Sequence, residues 1–121
     1  MKDLVISKEL FEEVYTCDIT IDKDMFSAYK NINLYIFFFD CKEWAMNNGY
    51  QIISSLSDEP AYRKQDEKAY AQIRYYTEDE FGNGEYEELY FMANTEIEAV
   101  FKASEYILKE IVKWKQIKLN Y

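Results

Sequence analysis

The sequence contains no histidine, one proline, three glycines and two cysteines among its 121 residues. Each shortage excludes something. Without an imidazole there is no histidine acid–base catalysis, no Ser-His-Asp or Cys-His nucleophilic site, and none of the commonest zinc-ligand sets. Two cysteines, Cys17 and Cys41, cannot build a four-cysteine metal site. Cys17 alternates with Ile19 and Ile21, and Cys41 lies one helical turn beyond Phe37 and Phe38, so both read as free thiols packed as small apolar groups in a reducing compartment. The one cluster of glycines, Gly82-Asn83-Gly84, lacks the lysine and the long spacing of a phosphate-binding loop. No cofactor is expected, and the chain reads as a non-enzyme.

Positive charge is also scarce, with 14 Lys plus Arg against 23 Asp plus Glu and a net charge of −9. A sequence-independent grip on phosphates depends on cationic side chains, so direct nucleic-acid binding is not expected. Acidity fits solubility, docking on a basic protein surface, or mimicry of nucleic-acid charge. Long apolar runs are missing too. Leu4-Val5-Ile6 is too short for a signal-peptide core, and no window approaches the roughly 18 apolar residues of a membrane span. The expected location is the cytoplasm. What is abundant is apolar and aromatic side chains, 49% and 18% of the chain, enough for one folded domain over 1–121.

Local patterns predict seven elements. Ser7 caps a helix over 8–15, with Leu10, Phe11, Val14 and Tyr15 on one side. Cys17-Asp18-Ile19-Thr20-Ile21-Asp22 alternates with period two and reads as a strand. Asn33 caps a second helix over 34–47, which Gly49 ends in the left-handed conformation. A strand follows over 50–57, then a polar connection over 58–68. Strands over 69–77 and 86–92 form a hairpin around Gly82-Asn83-Gly84, whose glycines supply positive φ. Thr95-Glu96-Ile97-Glu98 is a capping box opening the longest helix, to about residue 115. Its inward stripe is Ile97, Val100, Phe101, Ser104, Ile107, Leu108 and Ile111. The order αβαβββα predicts an α+β domain: a three- to four-stranded, mostly antiparallel sheet with helices on one face, or with helices split across both faces as the alternative.

Candidate surfaces follow from residues these stripes do not use. The second helix spends Leu34, Phe37, Phe38, Cys41, Trp44 and Ala45 on a core stripe, leaving Tyr35, Ile36, Phe39 and Met46. A helix apolar nearly all round is either central or docked to a partner. In the hairpin, alternation puts Ala71, Ile73, Tyr75, Leu89 and Phe91 on one face and Tyr70, Gln72, Arg74, Tyr76, Glu88 and Tyr90 on the other. If helices cover only the first, the second is a sheet of tyrosines among charges, a composition typical of protein-binding surfaces. Glu78, Asp79, Glu80, Glu85, Glu87 and Glu88 put six acids and no base around the tip. The calcium-loop spacing is missing there, and the acids also discourage edge-to-edge strand pairing. Lysines at 109, 113, 115 and 118 suit a helix C-terminus.

Two stretches, Cys41-Lys42-Glu43-Trp44-Ala45 with Gly49-Tyr50, and Ala93-Asn94-Thr95-Glu96-Ile97-Glu98-Ala99-Val100-Phe101-Lys102-Ala103, together with Ser7-Lys8-Glu9-Leu10, resemble small, largely uncharacterised α+β proteins encoded by bacteriophages and prophages. That family's pattern is more polar before the cysteine than Ile36-Phe37-Phe38-Phe39 here. The resemblance implies an accessory protein that binds and inhibits a host or defence-system protein with a basic surface, with anti-CRISPR or anti-restriction activity as its concrete form. On that reading Phe39, Tyr76 and Tyr90 are the anchors, and Glu78, Asp79, Glu80, Glu85, Glu87 and Glu88 the charged contribution. The alternative is a self-associating homodimer built on the second helix.

Overall fold

A computed structural model describes residues 7–15, 33–56 and 68–119, with side chains as far as Lys115. Its elements are α1 (Lys8–Tyr15), α2 (Leu34–Asn47), β1 (Tyr50–Leu56), β2 (Ala69–Glu78), β3 (Gly84–Ala93) and α3 (Glu96–Leu119). The strands form one antiparallel sheet in the order β1-β2-β3. The chain is thus an α+β fold with helices against an antiparallel sheet. The strand expected over 17–22, Cys17 itself and most of the connection at 58–68 lie outside the described residues.

Each helix starts where its capping residue stands. The Ser7 hydroxyl accepts from the amide of Leu10 at 3.0 Å, the Asn33 side chain from Tyr35 and Ile36, and the Thr95 hydroxyl from Glu98 at 3.2 Å. Each bond satisfies an amide that the first helical turn leaves without an intrahelical partner. Gly49, at φ +88°, turns the chain out of α2 into β1. α3 runs further than its apolar stripe indicates, to Leu119.

The helices lie on one face of the sheet. α3 packs across all three strands, whereas α2 packs over β1 and against α3, and α1 rests on both helices. Ile52, Ala71, Ile73 and Ala93 from the sheet meet Phe37, Cys41, Trp44 and Ala45 of α2 and Val100, Phe101 and Ile107 of α3 in one buried core. Phe37 lies at its centre, its ring 5.3 Å from that of Phe101 and 5.9 Å from that of Phe11. Polar ties complete the assembly. Tyr15 donates to Asp40 at 2.6 Å, joining α1 to α2, and Ser54 donates to Glu96 at 2.6 Å, joining β1 to the start of α3.

Of the two fates open to the apolar second helix, the central one does not occur. Tyr35, Ile36, Phe39 and Met46 are all exposed, between 57% and 69%. Substitutions on the two sides of α2 should therefore separate cleanly. Phe37→Ala is expected to cost about 3–5 kcal/mol of stability, and Phe39→Ala less than about 0.5 kcal/mol, read from urea unfolding midpoints.

Candidate protein-binding surface

The register places Tyr70 opposite Met92, Gln72 opposite Tyr90, Arg74 opposite Glu88 and Tyr76 opposite Tyr86. Directly paired residues share a face, so these eight, with Glu78 of β2 and Gln51, Ile53 and Ser55 of β1, lie on the sheet face that none of the described helices covers. Tyr76, Tyr86 and Tyr90 are 52–61% exposed. They form an ordered array: the Tyr76 and Tyr86 rings meet edge to face at 5.5 Å, Tyr70 and Tyr90 lie 6.2 Å apart, and the Arg74 guanidinium sits 4.2 Å from the Tyr86 centroid. Contacts of this kind add about 0.5–1.5 kcal/mol per aromatic pair beyond area burial, so the rings present a preorganised surface.

The hairpin tip adjoining them is the five-residue connection 79–83 between Glu78 and Gly84. The Asp79 carbonyl accepts from Gly82, and the Asp79 amide donates to the Asn83 carbonyl at 2.9 Å. Gly82, at φ +81°, supplies the left-handed residue that this loop type needs. The expectation of positive φ at both glycines holds for Gly82 alone. Gly84 serves differently: a Cβ there would fall on the Tyr76 ring, which lies across it and would have to swing aside.

The six acids divide by position. Glu78 shares the open face with Tyr76, while Glu85 and Glu87 pair with Thr77 and Tyr75 and point to the other side. Glu88 stands on the open face opposite Arg74, and Glu80 is exposed in the connection. Asp79 is committed to the turn. Its carboxylate accepts from the amides of Phe81 and Asn83, both at 2.9 Å, and from the Asn83 side chain at 3.2 Å. Among the described residues no group of His, Cys, Asp or Glu is arranged to hold a metal ion.

Sequence reasoning grouped Phe39 with Tyr76 and Tyr90, and the structure does not bring them together. Phe39 belongs to the helical layer, with its ring 5.1 Å from Phe38, while the tyrosines occupy the opposite face of the sheet. Tyr86 was missed as a member of the array. Its signal was present in the sequence, since it precedes Tyr90 by four residues in one strand and therefore shares its face.

Elsewhere, an open cleft of about 430 Å³ lies between the start of α1 and the later part of α3, with Leu108 and Val112 as apolar lining and Glu9, Glu105, Lys109 and Lys113 around them. Glu105 is engaged there by the Ser7 amide, 3.1 Å away. Cys41 is fully buried, and burial pushes its thiol up to about 12, against a smaller opposing effect from Ser104. Among the described residues no helix is long and apolar enough to cross a membrane. No protein-family model matches this chain, and no curated protein does.

Two titrations check this description. The hydrogen bond from the Asn83 amide, chief among those it accepts, holds the Asp79 carboxyl below its ordinary value. The amide resonances of Phe81 and Asn83 should therefore titrate below the usual aspartate range near 3.9, with the turn loosening as pH falls through that point. Cys41 should resist thiol reagents in the native state. Because the folded chain keeps a proton that the unfolded thiol loses above about pH 8.5, stability should decline as pH rises from there; Cys41→Ala should remove the part of the decline below about pH 10, above which Tyr15, Tyr50 and Tyr106, also raised by burial, add their own.

Proposed function

We propose that this chain is a phage or mobile-element accessory protein that acts without catalysis, binding and inhibiting a host defence protein in the manner of an anti-CRISPR or another anti-defence inhibitor. The observation that carries the reading is the uncovered tyrosine face running into an acidic tip. Three exposed tyrosines, Tyr76, Tyr86 and Tyr90, with the half-buried Tyr70 beside Tyr90, offer rigid contact area at small entropic cost. Glu78, Glu80, Glu85, Glu87 and Glu88 supply a negative field beside them, and Asp79 supports the tip that carries it.

Such a surface complements a cationic groove of the kind a defence nuclease uses to hold nucleic acid. Acids accelerate the encounter and reject wrong partners, while a few buried aromatic anchors supply most of the affinity. Tyr76 and Tyr90 are the anchors on this face, joined by Tyr86. Phe39, on the helical layer, does not take part in the same contact. The resemblance to phage-encoded proteins points in the same direction, as does the absence of histidine from the whole chain.

The test is a plating assay on bacteria carrying a CRISPR or restriction system, with the chain expressed from a plasmid. Wild type is expected to restore phage plating. Reversing Glu78, Glu80, Glu85, Glu87 and Glu88 to lysine is expected to abolish the effect while thermal unfolding stays cooperative. Tyr76→Ala and Tyr90→Ala should each weaken target binding by about 2 kcal/mol, as interface anchors do. Full protection by the charge-reversed chain would overturn the proposal.

A further inference from the structure

The two edges of the sheet are unlike. β3 carries Glu85, Glu87 and Glu88 in the half nearer the hairpin tip, the charged protection that natural edge strands use against pairing. β1, Tyr50-Gln51-Ile52-Ile53-Ser54-Ser55-Leu56, has no charged residue, no proline and no glycine. It is nevertheless the outermost strand at its side among the described residues. Two of its apolar side chains are exposed, Ile53 at 39% and Leu56 at 60%. The helix packed over this same strand is α2, whose Tyr35, Ile36, Phe39 and Met46 are all exposed. An unprotected strand edge and an unpartnered helix stripe thus share one side of the molecule.

We infer that a second copy of this chain docks there, its β1 antiparallel to the first, to give a continuous six-stranded sheet with the two α2 helices side by side. Three observations select a second copy over another partner. First, a chain of net charge −9 meets itself at least cost where its own charge is low. β1 is uncharged, and the middle of α2 carries Lys42 with Glu43 and Asp40, of which Asp40 is hydrogen-bonded to Tyr15.

Second, the strand is self-complementary. In an antiparallel pairing centred on Ile53, Ile53 meets Ile53 and Gln51 meets Ser55 on the open face. On the covered face, Leu56 of each copy lies beside Tyr50 of the other, so both exposed apolar side chains of β1 gain cover. Third, antiparallel pairing separates the like charges. The acidic tips extend from the Tyr50 end of β1, opposite Tyr75, and therefore point in opposite directions, leaving both tyrosine faces free.

Sedimentation velocity on the full chain from low to high micromolar concentration tests this. Wild type is expected to pass from monomer to dimer. Ile53→Lys introduces the kind of edge charge that blocks strand pairing, and Phe39→Glu charges the helix stripe. Each should raise the dimer dissociation constant by roughly tenfold or more, about 1.4 kcal/mol, with unfolding midpoints near wild type because both side chains are exposed. The chain with lysines at the hairpin tip should dimerise as wild type does, which separates this inference from the proposed function. A wild type that remains monomeric, or dimerisation unaffected by both substitutions, would overturn it. So would monomers whose β1 amides are already protected from hydrogen exchange, since the edge would then be covered by the same chain.

Discussion

A three-stranded sheet is stable only if one face is taken out of water, and here that burial depends on how closely α3 can approach the strands. The sheet offers Ala69, Ala71 and Ala93 and the helix offers Ala99, Ala103 and Ser104, all buried. Ala71, Ala93, Ala99 and Ala103 share one buried core with large residues, Phe101 and Ile107 from α3 and Phe37 from α2. Ser104 is tolerated in this dry contact because its hydroxyl donates back to the Val100 carbonyl at 2.8 Å. Enlarging any of these alanines would lift α3 from the sheet and loosen every element that rests on it.

Coverage of one face determines the character of the other. The alternation that sends Ala71 and Ile73 inward obliges Tyr70, Gln72, Arg74 and Tyr76 to face outward. A solvent-facing side of such a sheet needs only polar residues, and threonine, lysine and glutamate would serve. Tyrosines at four paired positions, with Arg74 stacked on one of them, exceed what exposure requires. The covered face explains the core, and nothing in the core explains the tyrosines.

Much of the fold was legible because local physics decided it. Capping side chains at Ser7, Asn33 and Thr95 mark helix starts, Gly49 marks an end, and alternation in β2 and β3 assigns each side chain to a face. Two features were not legible for tertiary reasons. The turn type depended on Asp79 folding its carboxylate back onto the amides of the loop, which the glycine spacing does not reveal. The grouping of Phe39 with the tyrosines failed because periodicity tells which side of its own helix a residue occupies, and says nothing of which layer of the molecule that side ends in.

The segregation of charge gives the two exposed surfaces different physics. At physiological ionic strength exposed charges are screened beyond about 8 Å, so the acids of the hairpin act on whatever touches the tip and hardly at all on the β1 side. Under the proposed function, binding at the tyrosine face would gain from steering, and its rate would fall as salt rises. Pairing at β1 would rest on backbone hydrogen bonds and apolar cover, which salt does not weaken. Asp79 illustrates how closely the first surface is built. Its charge is consumed in holding Phe81 and Asn83, and this fixes the turn from which Glu78, Glu80 and Glu85 project. The other five acids stay clear of the turn's hydrogen bonds, Glu78 and Glu88 on the open face and Glu85 and Glu87 on the other.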